Sequence, residues 1–245
     1  MSLLTVICCI PLSAADKIPQ KSIAKKGELL FEDNFEGKSP DKRWHKVVPT
    51  FSVEEGKLKG VQTREKDETV NGKVRKAHAA VHGLELPSKD TVVEVKILFE
   101  GATMIDVEFD DRKFKGCHYG HICRAQVRYN PKDKSAYVLI IDEKEGSMRN
   151  DIREMRKDPS KKAEVAKLLK GKSARFPVKI QEGKWYTLTV ETVGDEMRVE
   201  LDGKPAGYLK SPGIAHATKS KLEFGVAGKL GYFDDLKIWN AESVK

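Results

Sequence analysis

The chain has 245 residues, a formal net charge of +8 and 33% charged residues. This length suits one large β domain or two small ones, and the lack of a Pro-, Ser- or Gly-rich linker favours one. Lysines and arginines are spread among acidic residues along the whole chain, without a basic helix or a stripe of aromatic residues. The composition therefore argues against a nucleic-acid-binding protein.

The first fifteen residues carry no charge, and Leu3 to Leu12 form a short apolar run before Ser13-Ala14-Ala15. This pattern predicts a signal peptide over residues 1–15, followed by a polar spacer over 16–27. The apolar run is too short to span a bilayer as a helix. We therefore expect a secreted, periplasmic or cell-envelope protein with no membrane span.

Short segments rich in β-branched and aromatic residues, many of them alternating between apolar and polar positions, predict strands through the rest of the chain. The segments are Leu29–Phe31, Trp44–Val48, Phe51–Val53, Ala77–Leu86, Thr91–Phe99, Thr103–Phe109, Ile122–Tyr129, Ala136–Ile141, Phe176–Ile180, Trp185–Thr192, Met197–Leu201, Leu222–Val226 and Tyr232–Trp239.

The clearest supersecondary signal is the hairpin Lys184–Pro205, in which Gly194-Asp195 separates two alternating runs. Met197, Val199 and Leu201 share one face, and Arg198 and Glu200 share the other, so we expect one buried and one wet face. Such a hairpin needs further strands and a second sheet to bury its apolar face.

The strand pattern breaks over Ser147–Lys172, where the spacing of Ala163, Ala166 and Leu169 predicts one short helix that ends near Gly171. The predicted fold is therefore all-β: a two-sheet antiparallel jelly-roll β-sandwich over residues 28–241, with one short helical insertion at about 148–172.

Both ends of this domain resemble a known superfamily. GYFDDLKIW at 231–239, KLEFGV at 221–226 and the hairpin resemble the closing half of concanavalin A-like lectin/glucanase sandwiches. LLFEDNFEG at 29–37 resembles the first strand of laminarinase-type family 16 glycoside hydrolases, and the secreted 3-keto-disaccharide hydrolase domains are also similar. The resemblance implies a sandwich fold and a glycan as ligand or substrate.

Family 16 enzymes carry Glu-x-Asp-x-Glu on one strand face, where two carboxylates flank the glycosidic bond. The nearest stretch here is Met104-Ile105-Asp106-Val107-Glu108. Asp106 and Glu108 match, but Met104 stands at the nucleophile position, and a thioether does not form a glycosyl ester. The alternative reading is an acidic strand face exposed to solvent.

Two strands carry polar residues on one face each: Asp106, Glu108 and Asp110 on the first, and Arg124, Gln126 and Arg128 on the second. Neighbouring strands would pair these charges. On a concave face the patch would bind sugar hydroxyls, with Trp44 or Tyr119 stacking on a sugar ring. On a convex face the same residues would form ordinary surface ion pairs.

The segment CHYGHIC at 117–123 joins these two strands. Gly120 permits a sharp reversal that carries His118, Tyr119 and His121 to the edge of the sheet. We predict that His121 faces the same pocket as Asp106, Glu108 and Arg124. Cys117 and Cys123 are expected either to form a disulfide or to remain as two half-buried thiols.

Asp33, Asp234 and Asp235 resemble the position at which several of these sandwiches bind a structural calcium ion, a cation that prefers carboxylate and carbonyl oxygens. The alternative is that these aspartates cap turns and strand ends.

Three functions are compatible with the sequence. The first is an exported module that binds a poly- or oligosaccharide on its concave face. The second is a glycoside-cleaving enzyme in which Asp106, Glu108 and the loop residue His121 are catalytic. The third is a structural envelope module without a ligand, which would present a flat surface.

Overall fold

The structure is a computed structural model that describes residues 18–37 and 40–244. The predicted signal peptide lies outside the described residues. The described residues form fifteen β-strands: β1 (Ala24–Asp33), β2 (Trp44–Val48), β3 (Phe51–Glu54), β4 (Lys57–Val61), β5 (Glu68–Val70), β6 (Lys73–Arg75), β7 (Ala80–Ser88), β8 (Thr91–Asp110), β9 (His121–Tyr129), β10 (Ala136–Asp142), β11 (Ser173–Val178), β12 (Trp185–Val193), β13 (Glu196–Leu201), β14 (Lys204–Lys210) and β15 (Lys219–Ser243).

The insertion between β10 and β11 contains two short helices, α1 (Asn150–Met155) and α2 (Lys162–Leu169), so the prediction of a single helix was wrong. Between the two helices, the Asp158 side chain accepts a hydrogen bond from the Ser160 backbone N–H and so caps the start of a 3₁₀ turn. In α2 the buried residue is Val165. In the part of the chain that the structure describes, no helix is long and apolar enough to cross a membrane.

Two long strands, β8 and β15, organise the sandwich. They pair antiparallel from Asp110 opposite Lys221 to Thr91 opposite Asn240, and so contribute to both layers. Both strands bend near glycines with positive φ, Gly101 (φ 83°) and Gly228 (φ 90°). A Cβ on Gly228 would lie 2.5 Å from the Thr103 backbone nitrogen, so this bend requires glycine.

The first layer, called here the cleft sheet, has the strand order β2-β7-β15-β8-β9-β10-β11 and uses the second half of β8 and the first half of β15. The second layer, the back sheet, has the order β3-β4-β15-β8-β12-β13-β14, with β1 beside the end of β15. This architecture confirms the predicted two-sheet antiparallel jelly roll.

The core lies between the two sheets and follows from strand alternation. Ile105, Val107 and Phe109 of the cleft sheet are at most 2% exposed, as are Val93 and Val95 of the back sheet. Burial of each such side chain contributes about 1.5 to 3 kcal/mol. The same alternation sends the acidic residues between them to the opposite face of the cleft sheet.

The predicted hairpin is present as β12 and β13, but its polar face is covered by other residues and is not exposed to solvent. Arg198 is fully buried, and its Nε donates a hydrogen bond of 2.8 Å to the Pro19 carbonyl. The Ile23 backbone N–H donates to Glu191 on the same face. Residues 18–23, at the start of the described chain and within the predicted polar spacer, therefore cover this face, and β1 begins at Ala24 inside that spacer.

Trp44 belongs to the core, which corrects its prediction as a ligand-binding residue. Its ring stacks on His82 with centroids 5.0 Å apart, and its Nε1 donates to Asp33. His82 also stacks on Phe51 and is only 3% exposed, so this histidine belongs to the core as well. An aromatic ring on β2 packs inward because β2 pairs with β7 at the margin of the core.

His82 should make the fold sensitive to acid. Burial lowers the pKa of His82 from 6.5 to about 4, and neither ring nitrogen has a hydrogen-bond partner. Below pH 6.5 the unfolded chain takes up a proton that the folded protein refuses, so stability falls as pH drops towards 4. Between pH 7 and pH 4.5, we expect the free energy of unfolding of the wild type to fall by about 2 kcal/mol more than that of His82→Leu. Urea unfolding at each pH measures this difference. The control is His78→Leu, at an exposed position, and its free energy of unfolding should fall as much as that of the wild type.

Candidate functional site

A cleft of about 740 Å³ opens on the outer face of the cleft sheet. Its floor is built by Met104, Asp106 and Glu108 of β8, with Glu223 of β15 and Arg124 of β9 on either side. The walls come from the segment 64–79 on one side, and from the loop after β8 together with α1 on the other. The cleft is therefore polar at the bottom and bounded by loops.

The pairing of β8 with β9 brings the two predicted polar faces together. Glu108 lies opposite Arg124, Asp106 opposite Gln126 and Asp110 opposite His121. Because side chains of directly opposed residues project from the same sheet face, all of them point towards the cleft side. The predicted neighbourhood of the acidic and basic strands is confirmed.

Arg124 is the central cation of the site. Its Nη1 lies 3.0 Å from Asp106 Oδ2, its Nη2 donates to Glu108 Oε1, and its Nε lies 2.9 Å from Glu143 Oε1. Burial by itself lowers the pKa of Arg124, but the surrounding carboxylates, Glu108 first, outweigh burial and raise it. One guanidinium therefore contacts three carboxylates that lie almost out of water.

His121 is the second cation. Its Nδ1 lies 2.6 Å from Glu108 Oε1 and 3.0 Å from Asp110 Oδ1, and His121 lines the same cleft as Asp106, Glu108 and Arg124, as predicted. Burial lowers the pKa of His121, but hydrogen bonds to Asp110 and Glu108 outweigh it and raise the pKa to about 10. The imidazole is therefore charged at neutral pH.

Asp106 carries the most unusual carboxyl of the cleft. Burial raises its pKa to about 7 against the opposing charge of Arg124. Oδ2 accepts hydrogen bonds from Arg124 and Gln126, whereas Oδ1 is buried and has no partner. Burial also raises the pKa of Glu108 and of Asp110. Asp106 therefore binds a proton more readily than an ordinary aspartate, and its Oδ1 lacks a hydrogen-bond partner.

The loop between β8 and β9 has the predicted reversal. Gly120 has φ 79°, and a Cβ there would lie 2.0 Å from the Asp111 carbonyl oxygen. Tyr119 is 69% exposed and lines the cleft together with His118. Cys117 and Cys123 are buried free thiols, so the disulfide alternative is not formed.

Three other predicted ligand residues do not line the cleft. Asp110 is fully buried beneath His121, and Gln126 is 3% exposed and bonded to Asp106. Arg128 donates both Nε and Nη2 to the Gln126 side-chain oxygen. These residues support the floor from the side rather than reach into the cleft.

The predicted calcium ligands are only partly assembled. The Asp33 oxygens accept hydrogen bonds from Phe35 and Trp44, and Asp235 forms an ion pair with Lys96 at 2.6 Å. Asp33 and Asp235, but not Asp234, line a common surface hollow. The structure therefore brings Asp33 and Asp235 to one hollow and leaves Asp234 outside it, and the hydrogen bonds of Asp33 are those of a capping residue.

Among the residues that the structure describes, one trio of His, Cys, Asp or Glu side chains has all its ligand atoms within 4.8 Å of one another: Glu108, Asp110 and His121. The contacts of His121 Nδ1 with both carboxylates already hold these three groups together.

Four charged residues that matter for the cleft, Glu223, Arg112, Arg64 and Arg153, are among those that sequence reasoning missed. On the floor, Glu223 Oε1 lies 2.7 Å from Arg112 Nη2. The visible signal for Glu223 was a charge between two apolar residues, Leu222 and Phe224, of a buried strand. The other two residues are Arg64 and Arg153, which come from the loop after β4 and from α1. No periodicity connects them to the floor.

Known proteins resemble this chain in structure. The non-specific endo-β-1,3(4)-glucanase SCLam of family GH16 superposes with a TM-score of 0.61 at 10% identity, over 94% of this chain and 97% of that one. The laminarinase catalytic domain of Thermotoga maritima gives 0.58 at 11% identity, over 89% and 100%. Porphyranase B of Zobellia galactanivorans gives 0.55 at 13% identity, over 86% and 90%.

No protein-family model and no curated protein sequence matches the chain. A structure of a SCLam mutant contains 1,3-β-D-cellobiosyl-glucose at its active site, and LamA of Z. galactanivorans was solved with laminaritriose and laminaritetraose. Identities of this size establish the fold alone. The chain therefore has the concanavalin A-like jelly-roll fold, in the form found in laminarinases and porphyranases.

Proposed function

We propose that this protein binds a glycan chain in the cleft. The observation that carries the proposal is the buried Asp106 Oδ1, which has no hydrogen-bond partner on the floor of a cleft of about 740 Å³. An unpaired buried acceptor is costly, and a sugar hydroxyl that donates to it would remove the cost. The cleft volume falls within the range that holds small ligands.

The rest of the cleft suits a sugar. Tyr119 presents an exposed aromatic ring on the cleft wall, which is a surface on which a sugar ring stacks. Glu108, Arg124 and Glu223 place acceptors and donors side by side on the floor. A module without a ligand was expected to present a flat surface, and the cleft argues against that hypothesis.

Binding is tested by titration calorimetry with neutral and acidic oligosaccharides of different linkage. Asp106→Asn should weaken binding about tenfold, because an amide in the same place replaces a charge-bearing acceptor. Glu100→Gln is the matched control, since Glu100 lies exposed on the same strand. Absence of binding to any glycan at millimolar concentration would contradict the proposal.

A second candidate is glycoside cleavage, and the pKa of Asp106 favours it. A carboxyl with a pKa of about 7 is a competent general acid at neutral pH, and Glu108 is the adjacent carboxylate for the role of base or nucleophile. Met104 faces the cleft where a family 16 nucleophile would be expected, so cleavage would depend on Asp106, Glu108 and His121.

Cleavage is tested by a screen of glycosides and 3-keto-glycosides, with and without a divalent metal. If Asp106 is the acid, the rate should fall as pH rises above 7, and Asp106→Asn should lower it about 100-fold. Binding without any product would leave the protein as a glycan-binding module. The exported location and a structural calcium ion remain predictions: secretion of the full chain, and a calcium-dependent shift in melting temperature, would test them.

A further inference from the structure

Two arginines on opposite walls of the cleft differ from its other cationic side chains in their lack of a carboxylate partner among the residues that the structure describes. Arg64 lies in the loop after β4, and Arg153 lies on α1. Arg112 and Arg124 are paired with floor carboxylates, and Lys76 with Asp67 at 2.7 Å. Within residues 18–37 and 40–244, no carboxylate oxygen lies within 4.0 Å of the Arg64 or Arg153 guanidinium.

Both guanidinium groups lack good acceptors. The Arg64 Nε is buried and has no hydrogen-bond partner. Arg153 Nη1 donates only to the Met148 sulfur, at 3.6 Å, and a thioether is a weak acceptor. Each group is half-buried, so water satisfies it incompletely. A buried donor without an acceptor is unfavourable, and a ligand oxygen placed between the walls would relieve this.

The floor does not supply the missing negative charge. Its carboxylates already contact cations: Asp106 and Glu108 contact Arg124, Asp110 contacts His121, and Glu223 contacts Arg112 and Lys221. The arginines of the cleft that have no carboxylate partner in the described part of the chain therefore lie on its walls.

We infer that the ligand of the cleft is an anionic glycan, whose sulfate ester or carboxylate groups bind Arg64 and Arg153. The inference rests on the proposed glycan binding. A guanidinium matches both kinds of oxyanion through two parallel hydrogen bonds. The uncharged part of the sugar then lies over Asp106 and Glu108, with its hydroxyls towards Asp106 Oδ1.

The experiment compares three oligosaccharide probes of similar length: a sulfated galactan, a polyuronate and a neutral β-1,3-glucan. Affinities of the full chain are measured by calorimetry at 50 and 300 mM salt. The double variant Arg64→Gln, Arg153→Gln should bind the preferred anionic probe 10- to 100-fold more weakly than the wild type. Its affinity for the neutral probe should not change. The two anionic probes distinguish sulfate from carboxylate recognition.

The matched control removes the same charge outside the cleft: Lys66→Gln with Arg156→Gln, at exposed positions close in sequence to Arg64 and Arg153. This control should keep at least half of the wild-type affinity. An equal loss in the control would overturn the inference and indicate general attraction to a basic protein. Tighter binding of the neutral probe would also overturn it while leaving glycan binding intact. Failure to bind all three probes would overturn both.

Discussion

Arg124→Met is expected to lower the free energy of unfolding by about 3 to 5 kcal/mol at pH 7. The Arg124 side chain is 13% exposed and contacts Asp106, Glu108 and Glu143, each of which is at most 7% exposed. Methionine fills much of the volume but leaves these carboxylates buried without their shared cation. Urea unfolding followed by circular dichroism measures the loss.

The pH dependence of this variant is a second readout. Without Arg124 the carboxylates should bind protons more tightly in the folded state, so part of the lost stability should return between pH 7 and pH 5. Arg128→Met is the matched control, because Arg128 bonds to the neutral Gln126 and should cost about 1 kcal/mol. A loss below about 1 kcal/mol for Arg124→Met would show that the site does not depend on this cation.

Between pH 7 and pH 9.5 the wild type is expected to lose about 3 kcal/mol more stability than His121→Asn. The pKa of His121 is about 10 in the folded protein and 6.5 in the unfolded chain. Above pH 6.5 the unfolded chain has lost a proton that the folded protein keeps. The stabilisation is therefore complete below pH 6.5 and is lost as pH rises towards 10.

The comparison with His121→Asn cancels the titration of Cys117 and Cys123, whose pKa values are raised by burial. His118→Gln is the control on the same loop, because burial lowers the pKa of His118 and moves its titration below this range. Parallel stability curves for the wild type and His121→Asn would mean that His121 is neutral in the folded protein.

The sequence by itself determined the layers and the floor of the site. Alternation along Ile105 to Phe109 separates a core face from an acidic face, because successive side chains of a strand point to opposite sides. The short connection through Gly120 then makes the next strand its antiparallel neighbour. For these reasons the pairing of Glu108 with Arg124, and the position of His121 beside Glu108 and Asp110, were predictable from local rules.

Only the tertiary structure decided which polar residues remain accessible. Arg198 was expected on a wet face and is fully buried, because residues 18–23 cover it. Trp44 was expected in the site and packs on His82 in the core instead. Each outcome depends on a segment distant in the chain, and strand periodicity contains no information about which segment covers a face.

The residues that form the walls of the cleft were likewise not predictable from strand periodicity. Arg64 and Arg153 are 89 positions apart in the sequence and belong to a loop and a helix that have no common pattern. Arg64 comes from the segment between β4 and β5 and Arg153 from the insertion between β10 and β11, and both segments border the same cleft. Strand alternation determined the floor through local sterics, whereas the path of the whole chain determined the charge of the walls.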